Sequence, residues 1–431
     1  MPVPRTLSSV VERPVHIGKV VGPIPTGCTD RTGKGLPALG PAVAEPRLWR
    51  GVAGRQGRAI ERTRRVESSG RNVVEFTRHY TYIIKMSEFR QDLVSGDWVI
   101  VAPERIKRPH DFLPKRQKRS VSPKATCPFE DLDKSGNKPI LAAVPKWVEN
   151  PDARKGRGSD RKRLSWRAVV VPNKYPALSH SHICAVVLKE GIYNAARGVG
   201  HHELIITRDH VRNLAALPLQ QSAEMFGLLQ ERYRALAKDD CLHYVVPFFN
   251  WGATAGASLT HPHMQLLSLP IIPPDVAHSL HGSKKYYKFH QRCAHCDMVK
   301  FERKYKNRIV AENSFAIAFA PFASRSPFEV RIFPKRHRPY FERTPAVELK
   351  AVTAVLQEVL RRIERHLNDP DLNFFIHTSP LKRQQDYAHY HWHIEILPKI
   401  STPAGFEMST GIEIDVIDPD RAARVLRGGK F

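Results

Sequence analysis

The sequence has no long hydrophobic run and few cysteines. No apolar stretch reaches the roughly 18 residues that a membrane-spanning helix needs, so we expect neither a spanning segment nor a membrane partner. Six cysteines in 431 residues are too few for a disulfide scaffold. With 21 histidines in the chain, they favour metal binding or catalysis in a reducing compartment, the cytoplasm. Cys184 and Cys241 lie in apolar surroundings and are predicted to be small buried side chains.

Acidic residues are in the minority. The chain has 42 Asp and Glu against 68 Lys and Arg, a formal charge of +26. Such a surface suits polyanions, either nucleic acids or nucleotide sugars and sugar phosphates. No recognised DNA-binding motif accompanies the charge, which favours the small anionic ligands. Many basic residues fall in segments 105–124 and 146–167, which we interpret as solvated loops.

Residues 1–85 are rich in Pro, Gly and Arg, show no hydrophobic periodicity and lack the apolar core of a secretory signal. We expect this segment to be disordered, or to be an extension upstream of a true start at Met86. The remaining length and the 42% apolar content are sufficient for globular domains with real cores.

Two similar cycles of strands and one long helix follow residue 167. The first is predicted as strands at 168–171, 203–207, 244–250 and 264–269 with a helix at 222–238. The second is predicted as strands at 315–318, 329–333, 373–377 and 393–397 with a helix at 345–367. Before them, a turn at 95–97 leads into a strand at 98–102.

Histidines recur at matching places in both cycles. His261-Pro-His263-Met-Gln265 parallels His391-Trp-His393-Ile-Glu395, and segment 202–210 parallels 328–337. This predicts an internal duplication. We therefore expect an α+β fold of two related halves, residues 86–280 and 281–431, each a mostly antiparallel sheet with a packed helix.

The stretch from Asn250 to Gln265 combines features that suit phosphate chemistry. Gly252, Gly256 and Ser258 are small enough to let a backbone approach phosphate oxygens. His261 and His263 have strand spacing and share one face. A free imidazole is a good nucleophile toward phosphorus, and the amide of Gln265, on the same face, can donate to a phosphate oxygen. The alternative is that these histidines only decorate a strand.

The run from Gly256 to Gln265 resembles the signature of galactose-1-phosphate uridylyltransferases, within the histidine-triad superfamily. Segments 89–109, 171–178, 321–329 and 404–407 resemble that family as well. The resemblance covers about residues 86–427 and implies two histidine-triad-like halves with active sites at a homodimer interface.

The resemblance also implies a mechanism. His263 would attack the α-phosphorus of UDP-glucose, release glucose 1-phosphate and pass the uridylyl group to galactose 1-phosphate, a hexose 1-phosphate. Gln265 and Ser258 would hold phosphate oxygens. The implied substrate-binding residues are Arg105, Arg108, Asn173, Asn250, Gly256 and, for the hexose, Glu407.

Zinc is the cofactor that the cysteines and histidines predict. A Cys-x-x-Cys motif can hold one side of a tetrahedral Zn²⁺, although a redox dithiol has the same spacing. The predicted ligands in the second half are Cys293, Cys296, His337 and His391, with His389 or His393 as substitutes for His391. His377 is interpreted as a structural partner. His278, His281 and His290 are placed in a basic loop.

The first half offers a second, less regular zinc set. Its members are Cys127, Glu130, His210 and His261. Glu130 stands where the family has a second cysteine, so one or two metals are expected. An iron site known in some family members needs a glutamate soon after the histidine motif; residues 270–285 contain none, and no iron is predicted.

The leading functional hypothesis is uridylyl transfer from UDP-glucose to galactose 1-phosphate by a ping-pong reaction through His263. A related phosphorylase or adenylyltransferase that uses ADP-glucose or another nucleotide sugar is the alternative, because the base-reading loop cannot be identified in the sequence. A basic, zinc-stabilised nucleic-acid-binding protein is the alternative from a different class.

Overall fold

A computed structural model of the chain describes residues 86–105, 119–143, 166–181 and 183–430. The expectation for residues 1–85 lies outside them. The helices are α1 Leu132–Ser135, α2 Leu219–Leu236, α3 Pro274–His290, α4 Ala294–Tyr305, α5 Ala346–His366, α6 Gly405–Thr410 and α7 Pro419–Leu426. The strands are β1 Glu88–Gln91, β2 Trp98–Val101, β3 Leu141–Ala143, β4 Ala168–Pro172, β5 Val187–Glu190, β6 Tyr193–Ala196, β7 His201–Thr207, β8 Tyr244–Trp251, β9 His263–Leu269, β10 Ile309–Glu312, β11 Ala316–Phe319, β12 Val330–Pro334, β13 Leu372–His377, β14 His393–Pro398 and β15 Glu413–Asp415.

A ten-stranded sheet organises the described part of the chain. Its order is β10-β11-β12-β14-β13-β8-β9-β7-β4-β3, and its recorded pairings are antiparallel. At its centre β8 pairs with β13, with Phe249 opposite Phe374. The remaining strands form two small sheets, β1-β2-β15 and β5-β6. The predicted mixed α+β class with antiparallel pairing is confirmed.

One face of the large sheet is covered by α2 and α5, and the main hydrophobic core lies between them and the strands. In α5 the buried residues Val352, Leu356, Val359 and Ile363 recur at helical spacing along one face. Met225, Leu229 and other apolar residues of α2 join the same core. The sequence predicted both helices, with ends that differ by a few residues.

Strand alternation places the histidines on the opposite face of the sheet. Met264 and Leu266 of β9 point into the helix-covered core, so His263 and Gln265 point away from it. In the same way Ile394 of β14 belongs to that core. The site described below is therefore built on the sheet face that the two long helices leave uncovered.

The region before the Cys-x-x-Cys motif is helical, which corrects the predicted basic loop. Helix α3 contains His278, His281 and His290, and it buries Val276, Leu280 and Ser283 on one face. The three buried residues are four and three positions apart, which is helical spacing. Polar residues surround them in the sequence, so hydrophobic periodicity does not indicate the helix. The expected boundary between residues 280 and 281 falls within α3.

The length and hydropathy of the described helices test the expectation that the chain has no membrane-spanning segment. None of those in the described ranges is both long enough and apolar enough to cross a bilayer.

Candidate functional site

His263 is the first residue of β9, and a hydrogen bond fixes one of its two ring nitrogens. Its Nδ1–H donates to the carbonyl oxygen of His261 at 2.9 Å, which puts the lone pair on Nε2. The ring is 7% exposed and packs edge-on against Phe129 at 5.3 Å between centroids. Burial lowers the pKa of His263. The imidazole is thus held in the neutral tautomer that can act as a nucleophile through Nε2.

Gln265 lies beside His263 on the same face of β9, and it is oriented by a histidine that sequence reasoning missed. His202 on β7 donates from Nε2 to Gln265 Oε1 at 2.9 Å. The backbone N–H of Ala177 donates to His202 Nδ1 at 3.2 Å, which fixes this tautomer. Since the amide oxygen of Gln265 is taken, its NH₂ group remains for another acceptor.

Asn173 completes the surroundings of His202. Its side-chain nitrogen lies 3.1 Å from His202 Nε2, and its Oδ1 accepts the N–H of Tyr175 at 3.0 Å. The structure therefore brings Asn173, predicted from sequence, next to Gln265 through His202. His202 forms no local sequence motif with Gln265, because the two residues lie on different strands. Their contact becomes evident only from the pairing register of β7 and β9.

The small-residue loop after β8 is anchored by Asp371. Asp371 Oδ2 accepts from the backbone N–H and the hydroxyl of Thr254 at 2.8 and 2.6 Å. Gly252 has φ +89°, and a Cβ there would lie 1.8 Å from Asp371 Oδ1. Gly256 also has a positive φ, +85°. The left-handed backbone requires glycine at both positions, and at Gly252 the close approach of Asp371 requires it as well.

Asn250 faces the same side of the sheet as His263 and is held by a second asparagine. Asn373 Nδ2 donates to Asn250 Oδ1 at 2.9 Å and to the carbonyl of Ala255 at 2.8 Å. Asn250 Nδ2 reaches the carbonyl of Gly256 at 3.5 Å. The structure thus brings together two predicted residues, Asn250 and Gly256, and supports them with Asn373, which lies in the second half of the chain.

Arg119 corrects the interpretation of segment 105–124 as a solvated loop. Its guanidinium binds Asp371 at 2.6 Å and Asp369 at 2.8 Å. It also lies 4.8 Å from the ring of Trp251. In the described part of this segment, therefore, a basic residue supports the loop after β8 rather than facing solvent.

Four potential metal ligands of the first half converge near the start of β9. His210 and His261 donate their Nε2–H groups to the carbonyls of Ser122 and Thr207, at 2.6 and 2.8 Å. Their Nδ1 atoms consequently carry lone pairs, and these face each other at 3.2 Å. Cys127 Sγ lies 3.5 Å from His261 Nδ1.

Glu130 supplies the fourth atom of this group. Its Oε1 lies 2.9 Å from His210 Nδ1 and 3.7 Å from His261 Nδ1, and it is buried without a hydrogen bond. Three acceptor atoms that face one another across about 3–4 Å are repulsive unless a cation lies between them. The ligand atoms of Cys127, His210 and His261 all lie within 4.8 Å of one another, and this donor set fits zinc. Glu130 Oε1 approaches this group from the side of the two histidines.

The Cys-x-x-Cys group has the same construction. The ligand atoms of Cys293, Cys296, His337 and His391 all lie within 4.8 Å of one another. Cys296 Sγ is 3.3 Å from His337 Nδ1 and 3.5 Å from His391 Nδ1. His337 Nε2–H donates to the carbonyl of Ala388 at 2.7 Å, which turns Nδ1 toward the thiols. Contact with Cys296 and the nearby imidazoles lowers the pKa of the Cys293 thiol. This group also fits zinc.

Of the histidines considered for the Cys-x-x-Cys group, His391 is the one that joins it. His389 contacts the carbonyl of Leu280 instead, at 3.5 Å. His393 donates to the carbonyl of His391 at 3.1 Å. His377 stacks on His393 at 5.2 Å, and burial lowers its pKa to about 3. These three act as packing partners.

Three of the predicted residues make contacts other than with His263 or lie in exposed turns and loops. Arg105 ends a short 3-10 turn, Pro103–Arg105, and is exposed. Ser258 lies in the loop before β9. Glu407 lies on α6, where its Oε2 accepts the N–H of Ala404 at 3.0 Å. The recorded contacts of the described residues include none between these three and His263. Arg108 lies outside the described residues.

Cys184 and Cys241 form a disulfide bond, which corrects the prediction of two buried thiols. Cys184 is exposed and precedes the β5–β6 hairpin, while Cys241 lies between α2 and β8. The bond links segments that are 57 residues apart. Apolar neighbours in sequence did not indicate burial here, because β5 and β6 are exposed along their length.

The similarities of this chain to known proteins agree with the site. A family model described as a domain of unknown function, DUF4921, matches residues 170–427. The ADP-glucose phosphorylase of Arabidopsis thaliana is 33% identical over 343 residues, covering 79% of this chain and 92% of the relative. The galactose-1-phosphate uridylyltransferase of Thermotoga maritima is 26% identical over 351 residues, covering 79% and 98%.

Structural comparison gives the same result. The crystal structure of an ADP-glucose phosphorylase from Arabidopsis thaliana with bound ADP-glucose aligns with a TM-score of 0.65 and 31% identity, over 80% of this chain and 99% of that one. These relatives are nucleotidyl-transferring enzymes. The family predicted from the His-Pro-His motif is confirmed: the chain belongs to the galactose-1-phosphate uridylyltransferase family.

Proposed function

We propose that this protein is a nucleotidyltransferase that cleaves ADP-glucose with inorganic phosphate through a covalent intermediate on His263. The observation that carries the proposal is the combination of two contacts: the Nδ1–H of His263 is held by the His261 carbonyl at 2.9 Å, and the neutral side chain beside it, Gln265, has its amide oxygen held by His202 at 2.9 Å. A nucleophilic imidazole needs a neutral ring with a defined, accessible lone pair, and the hydrogen bond to the His261 carbonyl defines it.

The first step is attack of the Nε2 lone pair on the α-phosphorus of the nucleotide sugar. A bond forms between Nε2 and phosphorus, and the bond from phosphorus to the bridging oxygen breaks with its electron pair, so that glucose 1-phosphate leaves. The imidazole now carries positive charge, which strengthens the hydrogen bond from Nδ1–H to the His261 carbonyl.

In the second step His263 is the leaving group instead of the nucleophile. An oxygen of inorganic phosphate attacks the nucleotidyl phosphorus, the Nε2–phosphorus bond breaks, and the electron pair returns to His263. ADP leaves and the neutral ring is restored. Gln265, with its oxygen held by His202 at 2.9 Å, directs its NH₂ toward the non-bridging oxygens on which charge accumulates in both steps.

The choice of ADP-glucose rests on the relatives. The ADP-glucose phosphorylase is 33% identical, whereas the Thermotoga maritima uridylyltransferase is 26% identical. The second match covers 98% of that enzyme. Uridylyl transfer from UDP-glucose to galactose 1-phosphate is therefore our second candidate, and it uses the same nucleophile.

We propose zinc at both Cys/His groups. One ion would be held by Cys293, Cys296, His337 and His391, and the other by Cys127, Glu130, His210 and His261. Zinc supplies a tetrahedral cross-link at each place. In the first half, fixing His261 also fixes the carbonyl that accepts the Nδ1–H of His263.

We further propose that the ten-stranded sheet arose by duplication and that the protein is a homodimer. The strand orders β4-β7-β9-β8 and β11-β12-β14-β13 are the same on the two sides of the central pair. Glu407, which the family resemblance assigns to the hexose, does not contact His263 among the described residues. In the proposed homodimer, the neighbouring subunit would complete the site and supply Glu407 to the hexose.

A labelling experiment tests the reaction. The zinc-loaded protein is incubated with ADP-glucose or UDP-glucose carrying a labelled α-phosphate, without an acceptor. We expect an acid-labile, base-stable label from ADP-glucose that inorganic phosphate discharges as ADP. His263→Ala should abolish it, and the surface control His278→Ala should retain it, since that side chain is about half exposed.

Other outcomes separate the candidates. A label from UDP-glucose alone, discharged by galactose 1-phosphate, keeps the nucleophile and supports the second candidate. No label from any nucleotide sugar with the folded wild-type protein contradicts the proposal, as does a label that survives in His263→Ala.

A further inference from the structure

A third cluster of side chains that are able to ligate a metal lies outside both Cys/His groups. It consists of His180, His201 and Asp239, and their ligand atoms all lie within 4.8 Å of one another. The rings of His180 and His201 are 4.5 Å apart at their centroids. Asp239 Oδ2 lies 3.8 Å from His201 Nε2. Three side chains from three separate segments converge here.

Each of the three segments is held by hydrogen bonds of its backbone. His201 begins β7, and its N–H donates to Ser268 Oγ at 2.8 Å. Ser179, the neighbour of His180, donates to the carbonyl of Gly198 at 2.9 Å and accepts from Gly200 at 3.1 Å. Asp239 Oδ1 accepts the N–H of Cys241 at 2.9 Å, which turns Oδ2 toward His201.

The group is separate from the nucleotide site because neighbouring residues of a strand face opposite ways. His202 points toward Gln265. His201 points to the other face with Glu203, which binds Arg232 of α2. The three side chains are not deeply buried: His180 is exposed, and the side chains of His201 and Asp239 are 22% and 29% exposed.

We propose that His180, His201 and Asp239 bind a divalent first-row transition metal ion. Two imidazoles and one carboxylate suit zinc, iron(II), manganese, cobalt or nickel, and the exposure leaves coordination positions for water. The ion would link segment 178–200 to the loop after α2.

The disulfide supports this placement. Cys184–Cys241 joins the same two segments by a different chemistry. Cys241 is two residues from Asp239, and Cys184 is four residues from His180. The metal ligands are therefore held at a short distance by a covalent bond, which lowers the entropic cost of assembling the site.

Cobalt(II) is the probe for the test. The protein, isolated with its tightly bound zinc and without reductant, is titrated with Co²⁺ while bound cobalt and visible absorption are measured. We expect one additional Co²⁺ per chain, with d–d bands and no thiolate-to-cobalt charge-transfer band, which separates this site from the cysteine-containing groups.

Variants identify the ligands. His201→Ala and Asp239→Asn should each weaken Co²⁺ binding at least about tenfold. His180→Ala should do the same, and since His180 is exposed this variant keeps the test valid if the others fold poorly. Asp240→Asn, one residue away and paired with Lys382, is the matched control and should bind as the wild type.

The proposal is wrong if the wild type takes up no extra cobalt. It is equally wrong if the His180→Ala protein, with an unchanged melting temperature, binds Co²⁺ as tightly as the wild type, or if Asp240→Asn weakens binding as much as Asp239→Asn. None of these results would affect the labelling of His263.

Discussion

Strands β9 and β14 carry the same histidine arrangement with different surroundings. In both, the second histidine donates from Nδ1 to the carbonyl two residues earlier, at 2.9 Å for His263 and 3.1 Å for His393. In both, the first histidine joins a potential metal group. The hydrogen bond to the backbone carbonyl that fixes the histidine tautomer therefore occurs in both strands. It does not by itself identify a nucleophile.

What differs is the partner of the second nitrogen. His393 Nε2 lies 3.3 Å from Glu395 Oε1. The ring is stacked between Phe333 and His377, at 4.9 and 5.2 Å. By contrast, the side chain that lies beside His263 on the same face, Gln265, is engaged by His202. In the proposed mechanism, the side chain two residues after the histidine, and the residues that hold it, distinguish the reactive imidazole from the structural one.

The two side chains that follow the histidines, Glu395 and Gln265, also differ in charge. Glu395 contacts Arg325 and lies 3.4 Å from Arg331, which also binds Asp92 at 2.8 Å. Although burial opposes ionisation, Arg325 and Arg331 hold the pKa of Glu395 well below its usual value. Gln265 is neutral and does not repel an anionic phosphate. A phosphate at β14 would meet a buried carboxylate instead.

The largest expected effect comes from removing each second histidine. His263→Ala should lower kcat by about 10⁴-fold or more, because it removes the nucleophile of the proposed reaction. His393→Ala should keep the covalent label and instead lower the free energy of unfolding by about 2–4 kcal/mol, because it leaves a cavity among aromatic rings. Single-turnover kinetics and chemical denaturation of both variants measure the contrast.

The comparison fails if His393→Ala loses the label while its unfolding free energy is unchanged. The label would then depend on both imidazoles, and β14 would take part in the chemistry.

Removing one cysteine ligand from each Cys/His group should have different effects on stability and activity. Cys293→Ser and Cys127→Ser should each reduce zinc by one equivalent per chain, as measured by atomic emission. We expect the larger loss of melting temperature, about 10 °C, for Cys293→Ser, because that group has two thiolate ligands and no carboxylate. For Cys127→Ser, His261 loses a partner, so kcat should fall as well.

The chain offers a matched control for these two substitutions. Cys184→Ser removes a cysteine that belongs to the disulfide and to neither Cys/His group, so it should leave the zinc of both Cys/His groups in place. A wild-type protein with one zinc per chain that Cys127→Ser does not alter would exclude the metal at the Glu130 group.

Gln265 and Glu395 occupy the same place in the two histidine motifs, two residues after the second histidine. Exchanging their side-chain types should make the surroundings of His263 more like those of His393, and the reverse. Gln265→Glu should lower kcat about 10²–10³-fold, since it replaces a donor to phosphate with a negative charge. Glu395→Gln should leave kcat within a few-fold but lower the free energy of unfolding by about 3–5 kcal/mol, because Arg325 and Arg331 lose a buried counter-charge.

Steady-state kinetics and urea denaturation of both variants check this exchange. Equal losses of activity in the two variants would show that the side chain at this position does not distinguish the strands.

The sequence predicted the elements that carry strong local signals. The eight strands and two helices of the repeated cycles are present with small shifts at their ends, because hydrophobic periodicity and β-branched runs specify them locally. Helix α3 was missed because its buried face has only Val276, Leu280 and Ser283. The exposed β5–β6 hairpin has no buried face to give an alternating pattern.

The same distinction applies to the site. His263, Gln265 and both Cys/His groups were predicted because a motif or a duplication marks them. His202, Asn373 and Arg119 were not, since each acts on a residue distant in sequence, and only the tertiary fold brings the partners together. The disulfide was missed for the same reason.

The smallest expected effect concerns His202, which holds Gln265 on β9 as Arg325 and Arg331 hold Glu395 on β14. His202→Phe should reduce kcat about tenfold with little change in KM, because the free amide of Gln265 can then rotate and present its oxygen to the phosphate. His202→Gln, whose amide can donate to Gln265 Oε1, should recover part of the loss. A merely structural role would not give this rescue; equal kcat values for the Phe and Gln variants, at unchanged melting temperatures, would assign the orientation of Gln265 to other contacts.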